Sequence, residues 1–198
     1  MSRVEQLANE NRGPVSWLPG LRKCYSPNFD QRPEGSDLEL LVLHNISLPP
    51  EKFGTQCIEA FFCNCLNVDA DPYFRTISDL KVSAHFLIDR QGQASQFVSI
   101  AERAWHAGVS NYLGRERCND FSIGIEMEGA DLIPYTQAQY QAVAMLCATL
   151  IKSNPTLSAS GIVGHSDIAP GRKTDPGEAF EWLYFNELLA ACLADKEQ

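Results

Sequence analysis

The stretch LELLVLHNI, Leu38 to Ile46, is a nearly continuous apolar run that ends on His44 and Asn45. SLPP follows and stops it. A strand with one wet face alternates polar and apolar residues; an unbroken apolar run reads as a central strand covered on both faces. Such a strand needs helices packed on its sheet, and the flanking sequence supplies them.

Working outward, FSIGIEME at Phe121–Glu128 reads as a second strand, with Glu126 near its C-terminal end. VSAHFLID and ASQFVSI flank Arg90-Gln91-Gly92-Gln93, a hairpin signal, and His85 lies within the first of these strands. GIVGH, Gly161 to His165, is a short strand that ends on a histidine. Helical spacing predicts three helices. TQCIEAFFCNCL runs from Thr55 to Leu66 with Thr55 as cap, and TQAQYQAVAMLCATLIKS runs from Thr136 to Ser153 and is ended by Asn154-Pro155. EAFEWLYFNELLAACL completes the set, with Phe180, Leu183, Tyr184, Leu188 and Cys192 as its expected apolar face. Residues 1 to about 36, the segment NVDADPYFRTISDLK and the segment from Ala101 to Asp120 read as loop. Strands and helices are interleaved, without internal repeat or low-complexity linker. The expected fold class is α/β: a single domain, residues 1–198, with a central mixed β-sheet flanked by helices. Its core spans about 17–190, after a polar N-terminal segment, 1–16.

The composition is that of a globular domain, 44% hydrophobic and 21% charged over 198 residues. A net charge of −9 argues against a nucleic-acid partner, which calls for a basic face. There is no apolar run of about 18 residues, so no membrane partner is expected. MSRVEQLANENRG lacks the apolar core of a secretory signal and starts at Met1, which points to the cytoplasm. Seven cysteines, odd in number and scattered, are expected to be free. Cys63 and Cys65 invite a metal reading. It is set aside because they fall on the expected helix, where residues two apart diverge.

The chemistry gathers in GHSDIAPGRKTDPG, Gly164 to Gly177. Pro170-Gly171 and Pro176-Gly177 punctuate it as loop, so its middle is expected to be neither helix nor strand. It carries His165, Lys173 and Asp175. His44 shares with His165 the end of an expected strand. With Asp175 folded back onto them, two imidazoles and one carboxylate form the ligand type of a hydrolytic zinc. Glu126 or Glu128, on one face of a strand by the two-residue period, is then a candidate general base. Lys173 could reach an oxygen that becomes negative. The competing reading is a solvated polar loop whose histidine caps a strand and whose aspartate caps the next helix.

HNISLPP at His44–Pro50, SAHFLIDRQG at Ser83–Gly92, RAWHAGVSNYLGRERCNDFSIGIEMEG at Arg103–Gly129, and the loop itself together resemble the bacterial 1,6-anhydro-N-acetylmuramoyl-L-alanine amidase family. That family is related to phage lysozyme-type amidases and peptidoglycan recognition proteins. The resemblance runs from about Trp17 to Trp182. It implies one zinc ion per chain on His44, His165 and Asp175, with Glu126 rather than Glu128 as the acid/base group and Lys173 steadying the oxyanion. It also implies substrate contacts at Asn45 and Arg117, and at Lys81, where the family leads one to expect Arg. Trp105 and His106 are candidates to flank the sugar, and Trp105 reads equally well as core. Arg115 and Arg172 join Arg117 as candidates for the stem-peptide carboxylates, and His85 reads as structural or as a support behind the ligand residues. The implied function is hydrolysis of the amide between anhydro-N-acetylmuramic acid and L-Ala in cell-wall recycling, which lowers a β-lactamase inducer. The expected partner is a small muropeptide, and the expected state is a monomer. A binding module of this fold, an amidase acting on intact cell wall, and a hydrolase using Cys118 as nucleophile are the rivals.

Overall fold

The computed structural model describes residues 16–195; the expected polar N-terminal segment lies, up to residue 15, outside the described residues. The elements in chain order begin with β1 (Arg22–Lys23), β2 (Phe29–Gln31), β3 (Leu40–Ile46), α1 (Cys57–Phe62), α2 (Phe74–Ile77), β4 (Phe86–Ile88) and β5 (Ala94–Gln96). They continue with β6 (Glu102–Ala104), β7 (Asn111–Tyr112), β8 (Arg115–Glu116), β9 (Ser122–Glu128), α3 (Gln137–Ser153), β10 (Ile162–Gly164), α4 (His165–Ile168) and α5 (Trp182–Ala194).

Six strands make one sheet in the order β1-β5-β4-β9-β3-β10. β10, β3, β9 and β4 run parallel to their neighbours, and β4 pairs antiparallel with β5, so the sheet is mixed. β3 is indeed central and covered on both faces. Leu41 and Leu43 point into one core with Ile123, Ile125 and Met127 of β9. Val143 and Cys147 of α3 and Phe185 and Leu189 of α5 close that core. Leu40 and Val42 point the other way, against Ala107, Phe121 and Ile168. His44 continues this second face and Glu126 sits opposite it on β9 in the parallel register. Both faces being dry is why the strand reads as an unbroken apolar run.

Helix α3 starts where the sequence puts it. The Thr136 side chain accepts from the Gln139 N–H, and the Gln139 side chain accepts from the Thr136 N–H, a reciprocal cap. The hairpin turn is closed by Gly92 at φ 79. Several expectations are corrected. α1 is shorter than expected, because Asn64 adopts a left-handed φ of 57 and ends it; the Thr55 hydroxyl donates to Leu48 O at 2.7 Å and accepts from the Cys57 N–H only at 3.4 Å. The expected face of α5 is corrected at one position: Phe180 is buried and Tyr184, Leu188 and Cys192 pack against the core, whereas Leu183 is 81% exposed; Phe185 and Leu189, outside the expected set, are its fully buried residues. The segment from Ala101 to Asp120 is not plain loop. It contains β6, paired with β2, and the small hairpin of β7 and β8. These strands are two or three residues long, too short for a periodic signal. The segments read as loop before β3 and after α1 likewise contain β1, β2 and α2. His165 opens a helical turn, α4, directly after β10, where the sequence reading has loop.

Candidate functional site

Parallel strands β3, β9 and β10 deliver their C-terminal ends to one place, where open α/β sheets hold their ligands. His44 comes from β3 and Glu126 from β9. His165 follows β10, held by a turn in which Asp167 Oδ2 accepts from the Gly164 N–H at 2.7 Å. The loop after α4 turns back on itself, with Arg172 N–H and Lys173 N–H both donating to Ala169 O. Ser166 N–H then donates to Asp175 O at 3.0 Å, which sets the two ends of the loop side by side.

Three atoms converge as a result. His44 Nδ1 and His165 Nδ1 lie 2.9 Å apart, and Asp175 Oδ2 is 2.9 Å from the first and 3.0 Å from the second. All three side chains are nearly inaccessible, at 1%, 2% and 9% exposure. Burial lowers His44 to about 4, against the pull of Asp175, so the ring is neutral. Burial pushes the Asp175 carboxyl up, but bonding to His165 and His44 holds it well below the ordinary carboxylate range. His165 Nε2 lies 3.0 Å from Ala107 O, which can only accept, and 3.4 Å from Arg172 Nη2, which can only donate; the closer contact favours the tautomer with its proton on Nε2 and a bare Nδ1. One proton can serve only one of the three contacts, whereas a cation at their common point serves all three. The donor set, two imidazole nitrogens and one carboxylate oxygen, fits zinc.

Glu126 Oε2 is a buried oxygen without a hydrogen-bond partner among the described residues. Burial, then the neighbouring Asp175, raises its pKa well above the ordinary value of 4.5, and Lys173 draws it back. A carboxyl held this way is suited to taking and returning a proton near neutral pH. Glu128 is engaged elsewhere: Gly54 N–H donates to one oxygen at 2.6 Å and Arg90 N–H to the other at 3.1 Å. Lys173 is exposed and lines the same cleft, a cavity of about 370 Å³ whose polar floor includes His44, Glu126, His165 and Asp175. A second hollow of about 660 Å³ shares Asn45, Ser47, Pro50 and Lys173 with it, so the groove continues past Asp131 and Thr174.

The remaining candidates are dispersed. Asn45 lines the cleft, with its amide donating to Asp131 Oδ1 and Pro176 O. Trp105 is partly buried and its indole bonds Asp30. Arg117 pairs with Asp120 and borders a separate hollow with Arg172. Lys81 is exposed between two cleft residues, Leu80 and Val82, without lining the cleft itself. Arg115 is paired with Glu39 and stacked over Phe121. Arg172 donates to the carbonyls of Ala107 and Val109. His85 is structural: Gly124 N–H donates to its Nδ1, and its Nε2 donates to Glu102 O. The Cys118 thiol is buried against Phe121, and that burial pushes its pKa up, away from the thiolate that a nucleophile needs. His106 is the residue whose part the sequence does not reveal. Its Nδ1 lies 2.9 Å from His44 Nε2 and its Nε2 3.1 Å from Ser122 Oγ. Spacing carries no signal for a contact between residues 62 apart.

Known proteins resemble this chain. A profile of the N-acetylmuramoyl-L-alanine amidases matches residues 34–178. The chain is 55% identical over 174 residues to the 1,6-anhydro-N-acetylmuramyl-L-alanine amidase AmpD of Salmonella typhimurium, spanning 88% of this chain and 92% of that one. It is 53% identical over 174 residues to the Escherichia coli AmpD, spanning 88% and 94%. A crystal structure of a selenomethionine AmpD derivative superposes with a TM-score of 0.85 at 51% identity, covering 88% of this chain and 97% of that one. With the match to the family spanning the strands and the loop that build the site, the chain belongs to the N-acetylmuramoyl-L-alanine amidases, on their AmpD branch.

Proposed function

We propose that this chain is a zinc-dependent amidase that hydrolyses the bond between the lactyl group of 1,6-anhydro-N-acetylmuramic acid and L-Ala. The supporting observation is the meeting of His44 Nδ1, His165 Nδ1 and Asp175 Oδ2 beside the unpartnered Glu126 Oε2. His44, His165 and Asp175 would hold one zinc ion, which supplies Lewis acidity and an acidified water. Glu126 accepts a proton from the attacking water. It then returns that proton to the L-Ala nitrogen, which leaves as an amine. The ammonium of Lys173 faces the carbonyl oxygen as charge develops there. The groove running past Asn45 and Asp131 has room for both sugar and peptide.

Asn45, Trp105, Arg117 and Lys81 are proposed as substrate contacts on the strength of the motifs that carry them; of the four, Asn45 lines the cleft. The enzyme is proposed to act as a monomeric single domain in the cytoplasm, on free muropeptides, trimming the inducer of β-lactamase. The free state of all seven cysteines supports a reducing compartment. Digestion of anhydro-muramoyl tripeptide in ¹⁸O-water tests the reaction. The account expects one labelled oxygen in the lactyl carboxylate and a peptide released with a free L-Ala amine. Label at any other carbonyl, or an uncut substrate, contradicts it.

A further inference from the structure

We propose that His106 is a positioning residue that holds His44 in the tautomer a metal requires. The inference rests on the metal reading of His44, His165 and Asp175. Neutral His44 carries one proton. To present a bare Nδ1 at the meeting point, it must carry that proton on Nε2. An N–H there needs an acceptor, and His106 Nδ1 stands 2.9 Å away. The His106 proton then lies on Nε2, where Ser122 Oγ accepts it at 3.1 Å. Asp175 Oδ2, 2.9 Å from His44 Nδ1, favours the opposite tautomer, and the His106 acceptor opposes it. His165 is served the same way by the next residue, through Ala107 O. Consecutive residues 106 and 107 thus orient both imidazoles. Bonds of this outer kind fix ring orientation and ligand basicity.

The sheet is shaped to accommodate the His106 ring. A Cβ on Gly124 would lie 2.4 Å from His106 Cγ, so glycine at this point of β9 leaves the space the ring occupies. Ser122, Gly124 and Glu126 alternate along one face of β9: a hydroxyl for His106, a gap for its ring, then the carboxyl that faces the cleft.

The test is a zinc titration against a chromophoric chelator, on wild type, His106→Leu and His106→Asn, whose amide oxygen can stand near the Nδ1 position. Affinity is expected to fall about ten- to a hundredfold in the leucine variant and to stay within about threefold of wild type in the asparagine variant. In zinc-loaded wild type the His44 Nε2–H gives a slowly exchanging NMR signal, lost with leucine and kept with asparagine. Equal affinities in all three proteins, or equal losses in both variants, overturn the proposal. Should the leucine variant fail to fold, Ser122→Ala decides. Weaker zinc binding at unchanged melting temperature of the zinc-free protein supports the proposal, and unchanged affinity overturns it. Wild type that takes up no zinc overturns the metal reading itself, before any variant is compared.

Discussion

In the proposed mechanism Glu126 and Lys173 divide the chemistry between them, and their environments support that division. Lys173 is exposed and its charge reaches Glu126, so it is free to face a substrate oxygen. Lys173→Ala is expected to lower kcat by about a hundredfold or more, the loss seen for an oxyanion donor, with zinc content unchanged. Turnover near wild type would remove that role. Glu126→Gln is expected to lower kcat by roughly 10²–10⁴, the range for general acid–base groups. The same change should stabilise the zinc-free fold at neutral pH. Burial raises the Glu126 pKa in the folded state. Below the unfolded value both states are protonated and the wild type bears no penalty. As pH rises through the raised folded value, the wild type comes to bury a charge, and stability is lost. The melting-temperature gain of the glutamine variant should therefore be largest at neutral pH and vanish below about the ordinary carboxylate range. A gain independent of pH would contradict the assigned cause.

At the scale of elements, what the sequence shows depends on length. β3 and β9, seven residues each, and α3, seventeen, are legible because periodicity has room to repeat. Among strands of two or three residues, β4, β5 and β10 are legible from an apolar run or a hairpin turn, whereas β2, β6, β7 and β8 lie among polar residues with neither signal. The face of α5 is legible at Phe180, Tyr184, Leu188 and Cys192, and is missed at Leu183, which is exposed, and at Phe185 and Leu189, which the helix buries most deeply. That assignment can be checked: Leu189→Ala should cost about 2–5 kcal/mol, whereas Leu183→Ala, at 81% exposure, should be near neutral in denaturant unfolding. Comparable losses would put the helix the wrong way round. The cap of α3 is a second check: Thr136→Ala should cost about 1 kcal/mol and leave turnover alone.

For the whole molecule, the site is the place where three parallel strands end and one loop returns. The candidate ligands are legible because each carries its own signal, a histidine at the end of an apolar run or a loop rich in Pro-Gly, whereas the strand-end acids Glu126 and Glu128 read alike and only the family resemblance favours Glu126. Their convergence is a tertiary fact that only the sheet order β9-β3-β10 supplies. The part His106 plays was not legible, since its partners His44 and Ser122 belong to other strands. The proposed substrate contacts divide similarly: Asn45 follows His44 and lines the cleft with it, whereas Arg117 and Trp105 lie in a segment whose path the sequence does not define.

The central claim is that one metal ion on His44, His165 and Asp175 drives muramoyl-amide hydrolysis. It is tested most directly by following cleavage of anhydro-muramoyl tripeptide and zinc content on the same sample, before and after chelation. One zinc per chain, release of free peptide, loss of both on chelation, and return of both when zinc is restored are expected. Cleavage that survives complete removal of zinc, or a chain that binds none, would contradict it.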